Sequence, residues 1–411
     1  MSKIERIEAR KIFDSRGNPT IEVTVYAGGV MASACAPSGA SVGKFEAQAF
    51  PKGGVEQSIK VIKELSDVLR GMSVDDQASI DMTIRKFDGT ENFSRLGGNA
   101  AIALSIAVAK AASIVRGVPL CKYLNNELEA PFPLSNIIGG GVHTKGDSID
   151  FQEFLVLPVG AKSFREAASV NVMVHREVAR ILTERYPKYV FGRNDEGAWA
   201  APLTIREAIE VLFSATCKVE SETNVKVRMG IDAAASELWD EKKKSYIYRK
   251  EGFEKKREEQ IEYISSLIEE YDIAYFEDPF NEEDFEAFAS LKSSLKKKCI
   301  ITGDDLTVTN RKRIELAIER RAINGVIIKP NQIGTLTETR KAVEVALSKN
   351  VVPVASHRSG ETCDPALAHL ALGMKCPVIK IGIMGGERIV KINEIMRVEE
   401  ELGVKMAKPP I

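Results

Sequence analysis

Three acids, Asp232, Glu277 and Asp304, each stand at the polar end of a short apolar run, in VKVRMGID, IAYFEDP and CIITGDD. Carboxylate oxygens are the hard ligands that Mg²⁺ prefers, so three of them brought together would make a divalent-cation site. Taken singly, an acid at a strand end caps a helix or forms a salt bridge; three in register, facing lysines and an arginine, need another account, because unbalanced carboxylates repel. Three further runs end in polar or basic groups: GVIIKP in Lys329, VVPVASHR in Ser356, His357 and Arg358, and PVIKIG in Lys380. A lysine becomes a base only when its pKa falls, and a second lysine with a divalent metal nearby would disfavour its protonated form. Removal of a proton beside a carboxylate is the chemistry this set suggests. Arg358 and Ser359, in SHRSGET, pair a guanidinium fork with a hydroxyl, a combination suited to phosphate oxygens. PSGAS, with Ser38 and Ser41, reads as a loop able to close over a ligand or as a structural turn, and GGGVHTKGD, with His143, as a second flexible loop. FQEF and NDEGAW add Gln152, Glu153, Asp195 and Glu196.

What must hold these groups together is a set of strands whose ends meet. The six runs are four to seven apolar-rich residues long and alternate with amphipathic stretches such as RKRIELAIERR and LTETRKAVEVALSKN. That alternation predicts parallel strands with crossover helices, in a barrel or a doubly wound sheet. Six polar ends would be costly to bury without partners, and in a barrel they converge on one face, where catalytic residues come from several strands. A barrel is therefore favoured. Upstream, IERIEARKIF and TIEVTVYAGGV flank the turn residues Asp14 to Pro19 and predict an antiparallel meander, followed by helical spacing from Gln57 to about Asn125. Strands followed by helices indicate a separate α+β unit.

A chain of 411 residues exceeds the size of one hydrophobic core, so two packed units are expected. Lys plus Arg number 57 against 58 Asp plus Glu, a balance that gives no global field to attract nucleic acid or an anionic membrane. The six cysteines lack a C-x-x-C pair and fit neither a zinc ribbon nor a disulfide framework, as expected of a reduced, cytoplasmic protein. The charged N-terminus lacks the apolar run of a secretory signal, and no segment is expected to span a membrane.

DSRGNPT, PSGAS, QEF, GDDLTVTN, NQIGTLTE, SHRSGET and MRVEEELG, in this order, resemble the enolase family over essentially the whole chain, and MGGER resembles its archaeal branch. The resemblance implies an α/β fold: an N-terminal α+β domain, residues 1–125, followed by an enolase-type TIM-like barrel, residues 126–411, with irregular first units. It implies reversible dehydration of 2-phosphoglycerate to phosphoenolpyruvate with two Mg²⁺ ions per site. It also implies a cytoplasmic homodimer, or an octamer built of dimers, joined through the N-terminal domain of one subunit and the barrel of the other. By resemblance, Asp232, Glu277 and Asp304 hold the tight Mg²⁺ and Ser41 helps hold the second. Lys329 would be the general base, and Glu196, supported by Glu153, would help hydroxide leave. His143, Gln152, Glu153, Lys329, His357, Arg358, Ser359 and Lys380 would contact substrate. Two neighbouring carboxyls cannot both ionise readily, so Glu153 and Glu196 could supply the acid, with a structural hydrogen-bonded pair as the alternative.

Several positions depart from the family pattern. Val42 stands in place of a Thr after PSGAS, Gly139 in place of an Asn, and Asn194, Ala198 and Trp199 in place of Gly, Gly and Phe around Glu196. Pro330, Cys363, Pro365 and Ile381 also differ, and an acidic-basic pair is missing from AQAFPKGG. None removes an expected ligand, base or acid. The competing readings are a different lyase or racemase of the same superfamily, which would not be expected to keep SHRSGET and PSGAS, and a catalytically silent binding paralogue.

Overall fold

The computed structural model describes residues 2–40, 42–144, 146 and 148–411. The chain starts with strands β1 (Ile4–Phe13), β2 (Pro19–Ala27) and β3 (Val30–Cys35), hydrogen-bonded in that order as an antiparallel meander. The β1–β2 turn is closed by Asp14, whose Oδ1 accepts the N–H groups of Arg16 (2.9 Å) and Asn18 (2.8 Å). Alternation puts Ile21, Val23 and Val25 on one fully buried face. Three helices follow, α1 (Gly54–Leu69), α2 (Gln77–Asp88) and α3 (Gly98–Val115). The alanines of α3, buried at positions such as 100, 103, 107 and 111, let it lie close on β2 and β3. By length and composition this helix could cross a membrane, yet 83% of it is buried inside the protein, as a core helix is.

The second part is a closed barrel of eight strands: β4 (Phe132–Gly139), β5 (Glu153–Leu157), β6 (Arg228–Asp232), β7 (Tyr275–Glu277), β8 (Ile300–Gly303), β9 (Gly325–Ile328), β10 (Val352–Ser356) and β11 (Val378–Lys380). Pairing of β11 with β4 closes the ring. The six strands read from the sequence are parallel, whereas β5 runs antiparallel to both its neighbours. Polar side chains start the surrounding helices: Thr204 and Glu207 form a reciprocal capping box, and the Thr335 hydroxyl accepts the Glu338 N–H.

The barrel interior is divided into two levels by the period-2 alternation of strands. Phe132, Leu134, Leu155, Leu157, Tyr275, Ile300, Ile327, Val354 and Val378 form a separate apolar cluster inside the barrel. Two residues beyond members of this plug stand Asn136, Glu277, Lys329, Ser356 and Lys380; Glu153 lies two residues before Leu155 because its strand is reversed. Register keeps these groups level, with Glu277 opposite Asp232, Glu153 opposite Asp232 and Ser356 opposite Lys380.

The meander part sits on the barrel through polar contacts. Ser38 and Gly360 exchange backbone hydrogen bonds of 2.7 and 2.8 Å, and Lys110 pairs with Asp364 at 2.7 Å. Asp81, buried, accepts the hydroxyls of Ser105 (2.6 Å) and Thr337 (2.6 Å). Ile327→Ala, which empties a fully buried position in the plug, is expected to lower the unfolding free energy by about 2–5 kcal/mol in urea titration. A loss below about 1 kcal/mol would show that the plug does not support the barrel.

Candidate active site

A cavity lies among the polar strand ends. Asp304, Lys329, Ser356 and Lys380 line it from the barrel; His143, Gln152, Glu153 and Glu196 line it from β4, β5 and the loops beside them. The SHRS run contributes His357, Arg358 and Ser359, and Gly39 and Ala40 of PSGAS complete the lining. PSGAS is tied down by the Ser359 hydroxyl, which accepts the Ala40 N–H at 2.7 Å. Ser41 lies outside the described residues.

Lys380 is the centre of the buried charge. Its Nζ donates to Asp232 Oδ2 (2.7 Å) and Glu277 Oε1 (2.8 Å) and stands 3.0 Å from Glu153 Oε1. Lys329 donates to Asp304 Oδ2, and its backbone is extended before Pro330, as proline requires. Glu196 sits in a tight loop between two short paired strands, Gly192–Arg193 and Trp199–Ala200. Its carboxylate accepts the Asn136 amide at 3.0 Å and lies 3.6 Å from ring nitrogens of both His143 and His357.

Burial and these charges set the protonation states. Burial, then the charge of Glu196, pushes the Glu153 carboxyl well up. Glu196 is also raised by burial, but the field of His357, His143, Arg388 and Lys380 outweighs this and holds it down. The two carboxyls are thus pushed in opposite directions, Glu153 towards its protonated form and Glu196 towards its charged one. Burial alone would lower Lys329, yet the Asp304 carboxylate holds it up, so Lys329 has the opposite shift from the one a base needs. Burial and then the charge of Asp232 push Glu277 up to about 8. Burial dominates His143 and His357 and lowers both.

A family model described as the enolase C-terminal TIM barrel domain matches residues 127–408, and one described as the enolase N-terminal domain matches residues 4–124. The chain belongs to the enolase family. The protein named Enolase of Methanosphaera stadtmanae is 48% identical over 98% of both chains. That of Archaeoglobus fulgidus is 49% identical over 97% of both, and that of Methanothermobacter thermautotrophicus 46% identical over 98% of this chain and 97% of its own.

Enolases are Mg²⁺-dependent, and the acids here suit such an ion by their surplus. Behind Asp304, Asp278 accepts the N–H groups of Asp304 (3.0 Å) and Asp305 (2.7 Å), and the three acids bring oxygens within 4.8 Å of one another. Burial and their mutual repulsion push Asp278 and Asp305 well up, the signature of carboxylates short of positive charge. The trio Asp232, Glu277 and Asp304 occupies consecutive strand ends, but is not one of the clusters within 4.8 Å found among the described residues. Asp232 and Glu277 turn to Lys380, and Asp304 to Lys329.

Three functional neighbours were missed in the sequence. Glu46 forms a buried pair with Arg358 (2.9 Å). Gln332 donates to Glu46 (3.2 Å) and Asp304 (3.1 Å), within the NQIGTLTE motif that carried the resemblance. Arg388, fully buried, donates to the carbonyls of Arg358 (2.6 Å), Ser359 (2.6 Å) and Asp195 (3.1 Å), so it joins the SHRS run to the Glu196 loop.

The shifts give stability a pH dependence. Glu277, ordinarily near 4.5, binds its proton more tightly when folded, so its contribution is full below about 4.5 and is lost as pH rises to about 8. The lowered histidines, ordinarily near 6.5, act oppositely below that value, where stability grows as pH rises. With EDTA, unfolding free energy is therefore expected to fall between pH 6.5 and 8, Glu277 contributing about 2 kcal/mol and the raised Glu153, Asp278 and Asp305 acting in the same direction, and excess Mg²⁺ is expected to remove most of that fall. An identical fall with EDTA and with Mg²⁺ would contradict the assignment.

Proposed function

We propose that this chain is an enolase in activity as well as descent, dehydrating 2-phosphoglycerate to phosphoenolpyruvate reversibly. The observation that carries the reading is one cavity holding a lysine, the two carboxyls Glu153 and Glu196, and an arginine beside a serine. Lys329 and the Glu196 loop come from parts of the barrel wall with two strands, β10 and β11, between them. Arg358 and Ser359 bind the phosphate, with the Arg358 fork aimed by Glu46. His143, Gln152, His357 and Lys380 complete the contacts to substrate.

Lys329 takes the proton from carbon 2 in its neutral form, which requires that its ion pair with Asp304 be relaxed. The pair Glu153 and Glu196 returns a proton to the departing hydroxyl, Glu196 facing substrate and Glu153 supplying the proton. Asp232, Glu277 and Asp304 would hold one Mg²⁺, and Ser41 would help hold a second. Bound there, the two ions supply positive charge against the extra negative charge that deprotonation places on the carboxylate, each pair of unit charges being worth about 4 kcal/mol at 4 Å and an effective dielectric near 20.

We take residues 1–125 and 126–411 as the two domains. We also infer a cytoplasmic homodimer, or octamer of dimers, with no nucleic-acid or membrane partner; the six cysteines, all unpaired, suit a reducing compartment. A silent binding role has no support in a cavity that retains the lysine and the carboxyl pair.

The test is to mix the protein with 2-phosphoglycerate, with and without Mg²⁺, and follow phosphoenolpyruvate by ultraviolet absorbance, alongside exchange of the carbon-2 proton by NMR. Lys329→Ala is expected to lose both reactions by at least about a thousandfold. Glu196→Gln is expected to lose dehydration while keeping exchange. Exchange near the wild-type rate in Lys329→Ala would refute the base assignment, and no Mg²⁺-dependent product from the wild type would refute the activity.

A further inference from the structure

The loop that presents Glu196 is held by a side chain rather than by backbone alone. Asn194 Oδ1 accepts the N–H groups of Glu196 and Ala198, each at 3.0 Å. The Asn194 N–H donates to the Ala198 carbonyl (2.9 Å) and the Gly197 N–H to the Asn194 carbonyl (3.0 Å). With two donors facing Oδ1, the amide has one workable orientation, which sends Nδ2 the other way. There Nδ2 is buried, without a hydrogen-bond partner among the described residues. It fills the space over Gly139: a β-carbon built on Gly139 would overlap Nδ2, stand 2.9 Å from Asn194 Cγ and 3.4 Å from the Ala198 β-carbon. Gly139 ends β4, the strand that carries Asn136, and Asn136 holds the Glu196 carboxylate.

Gly139, Asn194 and Ala198 are thus neighbours in space although 55 residues or more separate the first from the others. They are also three of the positions at which this chain departs from the family pattern it resembles, with an amide gained at 194 and absent at 139. The Asn194 amide and the space left over Gly139 are complementary.

We propose that Asn194 is a positioning residue for Glu196, interlocked with Gly139, so that the carboxamide that braces the acid's loop is supplied in this chain from position 194 and requires glycine at 139. Asn194 touches no reacting atom; it acts through the backbone of Glu196. The inference rests on the enolase reading for its catalytic consequence, and on packing alone for the interlock.

Four proteins test it: wild type, Asn194→Gly, Gly139→Asn, and the exchange Gly139→Asn with Asn194→Gly. Asn194→Gly is expected to lower kcat by on the order of tenfold to a hundredfold, with KM within about threefold, because Arg358 and Ser359 are untouched. A merely structural role would lower the urea midpoint without that split. Gly139→Asn is expected to lower both kcat and the urea midpoint through crowding. The exchange is expected to restore kcat and midpoint towards wild type, well beyond the product of the two single effects. Asn194→Gly with kcat within about twofold of wild type would overturn the positioning role, and additive midpoints in the exchange would overturn the interlock. Were the wild type itself to give no turnover, the enolase reading would fail, and the urea midpoints of the four proteins would still decide the interlock.

Discussion

A single ammonium group anchors the barrel's polar level. Lys380 is buried on top of an apolar plug and holds three carboxylates, Glu153, Asp232 and Glu277, that come from three adjacent strands. Such acids could not be buried together without it, since each would be desolvated beside two of its own sign. Their level is fixed by the pleat, because a one-residue slip of any strand would turn its charged group out of the barrel and its apolar neighbour with it. Lys329 does the same for Asp304, one further strand along. Even so, Asp278 and Asp305 lie beside Asp304 with no ammonium paired to them among the described residues, so their carboxyls are pushed well up by burial and mutual repulsion.

The rest of the molecule closes this level from above. PSGAS pairs with the SHRSGET run through Ser38 and Gly360, and the Glu46 to Arg358 pair crosses from the N-terminal part to the barrel. Gln332 links Glu46 to Asp304, and so to Lys329; a change in the N-terminal loops therefore reaches the charged level through two hydrogen bonds. Arg388 binds SHRS to the Glu196 loop, which gives the far side of the cavity its own brace.

The six parallel strands could be read from the sequence because each is a short apolar run with a polar end. The first two barrel strands could not. FPLSNIIG is buried at every position and shows no alternation, and the reversed β5 carries its charged Glu153 at the start rather than the end. The expected site residues, Ser41 apart, are found at one end of the barrel, since strand ends converge wherever a barrel closes. What local pattern could not show was the pairing of charges: Lys380 among the acids and Asp304 on Lys329 are properties of distances. Glu46 and Arg388 sit in helical or loop sequence that looks like ordinary charged surface. The link between Gly139 and Asn194 appears only when a β-carbon is placed on the glycine.

Divalent cations are expected to complete this level of buried carboxylates, displacing protons from the acids that burial and crowding push up. Titration calorimetry with Mg²⁺ near pH 7, repeated in two buffers of different ionisation enthalpy, measures that displacement directly. Binding is expected with an enthalpy that differs between the buffers by the amount that proton release requires. Binding with the same enthalpy in both, or no binding to the folded protein, would contradict that expectation.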